Sequence, residues 1–180
     1  MPRISLARLT PLLAVAVLVA TAVATTVAQE ASPTAADLPE IAVAFAEAWS
    51  SGDPDQLVTI YAEDGIFEEV VVGAAPVQGR EQIRAVGEAV FAAFPDFTAT
   101  PVGGFVSGNQ AVMEWILTGS YEGTFGALPP GTGQPVEIRV ATVLDLTDDG
   151  LIAHDREYWD FATLLDQLGL MPGAESTPEA

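Results

Sequence analysis

The run His154-Asp155-Arg156-Glu157-Tyr158-Trp159-Asp160 sets three carboxyls, an arginine, a tyrosine and the single histidine of the chain side by side. Read as a strand, it sorts by alternation: Asp155, Glu157 and Trp159 share one face, while His154, Arg156 and Tyr158 share the other. Only one of these sets can line a cavity. If it is the first, Glu157 is a carboxyl held away from water, the setting in which such a group exchanges protons with carbon near neutral pH. Asp160 is placed differently, directly before Phe161-Ala-Thr-Leu-Leu, where an aspartate caps a helix. Arg139 and Arg156 each have two readings: an anchor for a substrate carboxylate or enolate, or a partner for a neighbouring acid on the sheet, which is the commoner role. His154, near a hairpin, reads as a partly exposed residue.

Other chemistries are removed by what is missing. Cysteine is absent and histidine occurs once, which excludes cysteine nucleophiles, thiolate metal sites and multi-histidine metal sites. A serine triad would need His154 together with a Gly-x-Ser-x-Gly elbow, and no such elbow is present. No metal site and no cofactor are expected; the Asp148-Asp149 turn is the one place where calcium is worth considering.

Against 25 acidic residues stand six basic ones, all arginine. Two of these, Arg3 and Arg8, precede an apolar run over residues 12–24, the arrangement of a signal peptide, with small residues suited to cleavage after Ala28 or after Ala24. Residues 11–28 are near the lower limit for spanning a bilayer, so an uncleaved membrane anchor is the lesser alternative to a secreted or periplasmic location. The expected organisation is a signal peptide over 1–28, a flexible spacer over 29–36, one domain over 37–171 and a disordered tail over 172–180. Cleavage after Ala28 leaves about 152 residues with four arginines and 25 acids, a formal charge of −21. Such a field repels phosphate backbones and anionic bilayers, so neither a nucleic-acid partner nor stable membrane contact after cleavage is expected. Without disulfides, stability must come from packing, which 49% apolar residues can supply.

The elements that hold these residues can be placed by period and punctuation. A first helix starts near Asp37, with Glu40 as capping-box partner, carries Ile41, Phe45, Ala48 and Trp49 on one face, and stops at Gly52. Asp53-Pro54 opens a second helix, to about Ala62, with Leu57, Ile60 and Tyr61 buried. Residues 65–72 read as a strand, followed by a Gly/Ala/Pro loop. Residues 79–94 form a third helix with Ile83, Val86, Val90, Phe91 and Phe94 inward, ended by Pro95. Strands follow at about 97–106, 110–123, 136–146 and 151–159. Ser107-Gly108-Asn109 and Thr147-Asp148-Asp149-Gly150 make hairpin turns, whereas residues 124–135 form a long loop able to act as a lid. A last helix covers 160–168. The expected fold class is α+β, a strongly curved antiparallel sheet with helices on its concave side and a cone-shaped cavity between them.

Asp64-Gly-Ile-Phe-Glu-Glu, Gly79-Arg-Glu-Gln-Ile-Arg, Gly126-Ala-Leu-Pro-Pro-Gly-Thr-Gly, and Arg156-Glu-Tyr-Trp-Asp followed by Gln167-Leu168-Gly169 carry a resemblance in their order and spacing. Over residues 41–171 the chain resembles the SnoaL-like polyketide and ester cyclase branch of the nuclear transport factor 2-like superfamily. The resemblance implies a carboxylate on the last strand, in an Arg-Asp-x-x-Asp context, acting as general acid/base in an intramolecular aldol closure without metal or cofactor. Glu157 occupies that position, one methylene longer than aspartate. Ketosteroid isomerases of the same superfamily place their general base where Glu69 stands, but the tyrosine that holds their enolate oxygen falls on Phe45. Limonene epoxide hydrolase holds its water with a tyrosine and an asparagine at the positions of Phe67 and Glu69, so epoxide hydrolysis is not expected. A histidine common in the ester-cyclase Gly-Thr-His-x-Gly stretch is Tyr121, which retains a hydrogen-bond donor.

These readings make Glu157 and Glu69 the expected catalytic residues, pointing into one apolar cavity, with Phe67, Trp115, Tyr121, Trp159 and Arg139 as pocket residues. Desolvation and mutual repulsion are expected to raise at least one of the two carboxyl pKa values. The bland alternative is that either glutamate simply faces solvent, as most do in so acidic a chain. Two functions compete: a cofactor-independent cyclase or isomerase acting on a small hydrophobic carbonyl compound, and a non-catalytic module of the same fold that holds a small hydrophobic molecule. A third expectation, a homodimer, follows from the superfamily's habit of pairing across the sheet.

Overall fold

The computed structural model describes residues 38–171; the expected signal peptide, spacer and tail, and Asp37, lie outside the described residues. The elements are α1 (Glu40–Ser50), α2 (Pro54–Leu57), β1 (Tyr61–Glu69), β2 (Val77–Gln78), α3 (Arg80–Ala93), β3 (Thr98–Ser107), β4 (Gln110–Tyr121), β5 (Gln134–Leu146), β6 (Ile152–Trp159) and α4 (Phe161–Gln167). Six strands form one sheet in the order β2-β1-β6-β5-β4-β3. The alternation that defines its two faces is plainest in β5, where Val136, Ile138, Val140, Thr142 and Leu144 are buried and the residues between them face outward. The sheet is not wholly antiparallel: β1 runs parallel to β6, with Phe67 opposite Asp155 and Glu69 opposite Glu157.

Pairing register shifts between Tyr61 and Ile66, between Pro101 and Gly103, and between Asp145 and Leu146. Each such irregularity bends its strand and adds twist, and together they curl the sheet around the helices. On that concave side α1 packs against β3, α3 against β1 and α4 against β5. The enclosed core includes Phe45 and Trp49 from α1, Ile83 from α3, and Trp115, Leu144 and Ile152 from the strands. Burial of side chains of this size is worth about 1.5–3 kcal/mol each.

Several local expectations are corrected. No capping box forms at α1; Pro39 occupies the cap with φ at −57° and no side-chain bond, its ring already fixing the entry angle. Asp53 does cap α2, accepting from Asp55 N at 2.9 Å, but the helix yields after Leu57 to a 3₁₀ turn over Val58–Ile60. Tyr61, whose spacing from Leu57 suits a helix, instead opens β1 opposite Ile152. Val77–Gln78, expected as loop, is a short edge strand on Ile66 and Phe67. At the far end Asp160 caps α4 as its position suggests, accepting from Ala162 N at 2.9 Å and Thr163 Oγ1 at 2.7 Å.

The long loop after β4 is tied down at its base. Glu122 N and Gly123 N donate to Ala93 O at 2.9 and 3.2 Å, Gly131 N donates to Gly123 O at 2.7 Å, and Gly133 N donates to Tyr121 O at 2.8 Å. These approaches are so close that a Cβ at Gly123 would overlap the Ala92 carbonyl, and one at Gly131 the Tyr121 carbonyl. Gly131→Ala is therefore expected to lower stability by about 1–3 kcal/mol, the usual cost of forcing an atom into packed structure, and to lower the melting temperature in a thermal melt. An unchanged melting temperature would show that the loop is not held there.

Candidate active site

The inner face of β6 carries Asp155 and Glu157, with exposures of 0% and 6%. Its outer face carries His154, whose Nε2 lies 3.1 Å from Glu68 Oε2, and Arg156, whose Nη2 donates to Asp145 Oδ2 at 2.9 Å. Because Glu69 and Glu157 are Cα partners on adjacent parallel strands, their side chains emerge next to each other on strands about 4.8 Å apart.

Both glutamates line one chamber under the helices, whose walls include Trp49, Phe67, Phe97, Trp115 and Trp159. The rings form a continuous surface: centroids are 5.9 Å apart for Trp49–Phe67, 5.8 Å for Trp49–Phe97 and 6.3 Å for Phe97–Trp115. Trp115 Nε1 donates to Thr142 Oγ1 at 2.9 Å, which fixes that indole. The chamber encloses about 50 Å³, room for a few waters or the head of a small ligand. A larger cleft of about 960 Å³ adjoins it, lined by Val72, Val86, Ala89, Leu128 and Phe161 among others. Glu69, Val90 and Phe125 belong to both spaces and so form the throat between them.

Burial sets the protonation states. Loss of hydration pushes the Glu157 carboxyl well above the usual range, and the neighbouring Asp155 and Glu69 carboxyls push it further. Its Oε1 has no hydrogen-bond partner. Glu69, half-buried at the throat, is raised by burial alone. Asp155 is pushed up to about 7 by burial, against the opposing pull of the Tyr61 hydrogen bond and of Arg156. That bond is short and buried: Tyr61 Oη donates to Asp155 Oδ2 at 2.6 Å, leaving Oδ1 without a partner. Burial, and then Asp155, raise the Tyr61 hydroxyl well above its ordinary value, while the Trp49 indole acts in the other direction without itself reaching hydrogen-bond geometry.

The profile of the SnoaL-like polyketide cyclase family matches residues 40–168. The chain belongs to this family. Among solved structures, a protein from Catenulispora acidiphila with a ketosteroid isomerase-like fold, in complex with trimethylamine, is 28% identical, with a TM-score of 0.64 over 78% of this chain and 99% of that one. A protein of Jannaschia sp. CCS1, assigned as a SnoaL-like polyketide cyclase, is 25% identical, with a TM-score of 0.64 over 80% and 99%. IdmH of Streptomyces antibioticus, assigned as a polyketide cyclase, is 29% identical, with a TM-score of 0.60 over 72% and 96%. No curated protein matches.

In this SnoaL-like domain Glu69, Glu157, Phe67, Trp115 and Trp159 all reach the chamber, and two residues expected there do not. Arg139 lies on the outer face of β5, where alternation turns odd-numbered residues to solvent, and donates to Glu114 Oε1 at 2.5 Å. Tyr121 is buried but points to the loop: its hydroxyl donates to Pro129 O at 2.7 Å and accepts from Phe125 N at 3.2 Å, while its ring packs on Phe94. It therefore positions the throat residue Phe125 and does not line the chamber. Phe45 packs edge-on against Trp115 at 5.6 Å and brings no donor. Around the Asp148-Asp149 turn, Asp148 accepts from Asn109 and Asp149 from Thr147. Among the described residues no three His, Cys, Asp or Glu side chains gather as a metal site.

Asp155 and Tyr61 were not singled out as functional by sequence reasoning. For Asp155 the signal was present, since alternation sets it on the face of Glu157; for Tyr61 it was hidden by the helical spacing.

A measurable consequence follows for stability. Asp155 stands near 7 in the folded chain, against about 4 for an unfolded aspartate, so between those values the folded state holds the extra proton. The contribution of Asp155 to stability therefore falls as pH rises from about 4 to about 7. Asp155→Asn keeps an acceptor for Tyr61 but does not titrate. Its melting temperature is expected to depend less steeply on pH than the wild type between about pH 4 and about pH 7. General repulsion among the acidic residues acts on both proteins alike, so parallel curves would sink this assignment.

Proposed function

We propose that this domain is a cofactor-independent cyclase or isomerase acting on a small hydrophobic carbonyl compound, with Glu69 as base and Glu157 as acid. The observation that carries the reading is that two carboxyls, adjacent in register, enter one aromatic chamber at unequal depth. Two titrating groups whose environments separate their pKa values are thereby assigned opposite roles. The deeper Glu157, whose protonated form is favoured by burial and by the neighbouring carboxyls, donates; the throat residue Glu69, raised by burial alone, accepts. In the proposed step, Glu69 takes a proton from the carbon next to a carbonyl while Glu157 gives its proton to the carbonyl oxygen, so that an enol forms without a free enolate. For ring closure, the enol carbon bonds to a second carbonyl carbon of the same molecule. That second oxygen collects the proton held by Glu69, and the enol O–H proton returns to Glu157. The apolar cleft outside the throat accommodates the unreactive body of the substrate.

A non-catalytic binding role has its own support in Phe45, which offers no donor where related isomerases place a tyrosine, and in walls that are almost wholly apolar. One experiment separates the two readings without knowledge of the natural substrate. Hydrophobic cyclic ketones and β-dicarbonyl compounds in D₂O, followed by NMR, are expected to exchange their α-hydrogens faster with the protein than in buffer alone. Glu157→Gln is expected to reduce that acceleration by about 10²–10⁴-fold, the usual contribution of a positioned acid or base. Saturable binding of these compounds with no exchange above buffer would favour the binding module.

We also propose export, supported by the charge and apolar pattern of residues 1–28. Mass spectrometry of the protein recovered outside the cytoplasm is expected to give Gln29 as the first residue; an intact amino terminus would contradict cleavage.

A further inference from the structure

The chamber holds acid without a cation to answer it. Among the described residues every arginine is engaged elsewhere: Arg80 donates to the Tyr61 carbonyl, Arg84 pairs with Asp55 and Glu88, Arg139 with Glu114, and Arg156 with Asp145. The chain contains no lysine, and His154 sits on the outer face with Glu68. Glu157 is nonetheless almost wholly buried in the chamber wall with Oε1 bonded to nothing, and Glu69 stands beside it at the throat. The remaining wall is apolar, part aliphatic and part aromatic, with Trp49, Phe67, Phe97, Trp115, Phe125 and Trp159 among its rings.

Unpaired carboxylates and the faces of indole and phenyl rings attract the same kind of ligand, a compact organic cation. Both repel an anion. A hydroxyl could bond to Oε1 but would bring no charge to the carboxyls or the rings. We propose that the chamber is a binding site for an alkylammonium group, seated between Glu157, Glu69 and the indoles, with the alkyl chain extending through the throat into the apolar cleft. The proton balance is simple. An amine arriving neutral takes the Glu157 proton, and one arriving as ammonium drives that proton to solvent; both routes end in the same ion pair. This site goes beyond the acid/base reading and does not depend on it, because binding needs no turnover.

All three tryptophans of the chain line the chamber, so intrinsic fluorescence reports occupancy. Titration at pH 7 with n-octylamine, 1-octanol and octanoate, each below its micellar concentration, is expected to show saturable octylamine binding at least about tenfold tighter than octanol, and none for octanoate. Glu157→Gln is expected to weaken octylamine by about tenfold or more while leaving octanol within about twofold. Should that variant not fold, Glu69→Gln at the half-buried throat provides the same comparison. Calorimetry of the unaltered protein in two buffers of different ionisation enthalpy is expected to show release of a proton as octylammonium binds. Octanol binding as tightly as the amine, undiminished amine binding by the folded glutamine variant, or no saturable amine binding would each overturn the proposal. Failure of hydrogen exchange would count against the catalytic reading alone and leave these results untouched.

Discussion

Two carboxyls buried two residues apart on one strand face, with no cation among them, are the constraint to which the rest of this domain answers. An ionised carboxylate carries an effective penalty of several kcal/mol when taken out of water, so Asp155 and Glu157 cannot both be charged in this interior. Relief comes from protonation and from a single strong donor, the Tyr61 hydroxyl. A chain that keeps such a pair under the helices gives up stability to do so, and what it retains is a proton held where water does not compete for it.

Topology delivers this arrangement. The parallel pairing of β1 with β6 sets Glu69 level with Glu157, and the irregularity between Tyr61 and Ile66 brings a residue from the start of β1 to the Asp155 carboxyl. Gly65 lies within that irregularity, where a Cβ would stand 3.0 Å from the Ile152 carbonyl oxygen, so a larger residue there would press on β6 where the strand bends against it. Curvature makes the chamber, and the anchored loop bounds it. Tyr121 shows how the parts connect: by holding Pro129 and Phe125 it places one aromatic ring at the throat, giving the boundary between chamber and cleft a fixed position.

Much of this was legible in the chain itself, for reasons that differ from element to element. The inward set of β6 could be read because alternation is a local property and six of its seven final residues are polar or aromatic. The helix caps at Asp53 and Asp160 were legible for the same reason, being settled within three residues of chain. Tyr61 was not, because Leu57, Ile60 and Tyr61 satisfy a helical period as well as a strand start, and only pairing with Ile152, ninety-one residues away, decides between them. The parallel direction of β1 was hidden likewise, since nothing local marks a strand as parallel to a distant one. Arg139 was misplaced through its scarcity: positive charge looked valuable enough to be in the pocket, whereas the alternation of β5, visible in Val136, Ile138 and Val140, already turned it outward. Glu157 was found through family resemblance, and Asp155, just as visible by alternation, was passed over because the resemblance did not reach it.

The two buried acids of β6 nevertheless have different work. Asp155 is pushed up to about 7, but its carboxyl is occupied by Tyr61 and does not line the chamber. Glu157 does line it and offers a free oxygen. Negative charge on Asp155 raises the affinity of Glu157 for its proton, and Tyr61, by holding Asp155, governs how much of that charge is felt. Depth then orders the series: Asp155 behind the wall adjusts, Glu157 in the wall holds the proton, and Glu69 at the throat, half in contact with water, is the group most able to ionise. A gradient of hydration along one sheet face thus separates the roles of three chemically similar side chains, which is the physical basis for treating a wall of acids as a site with direction.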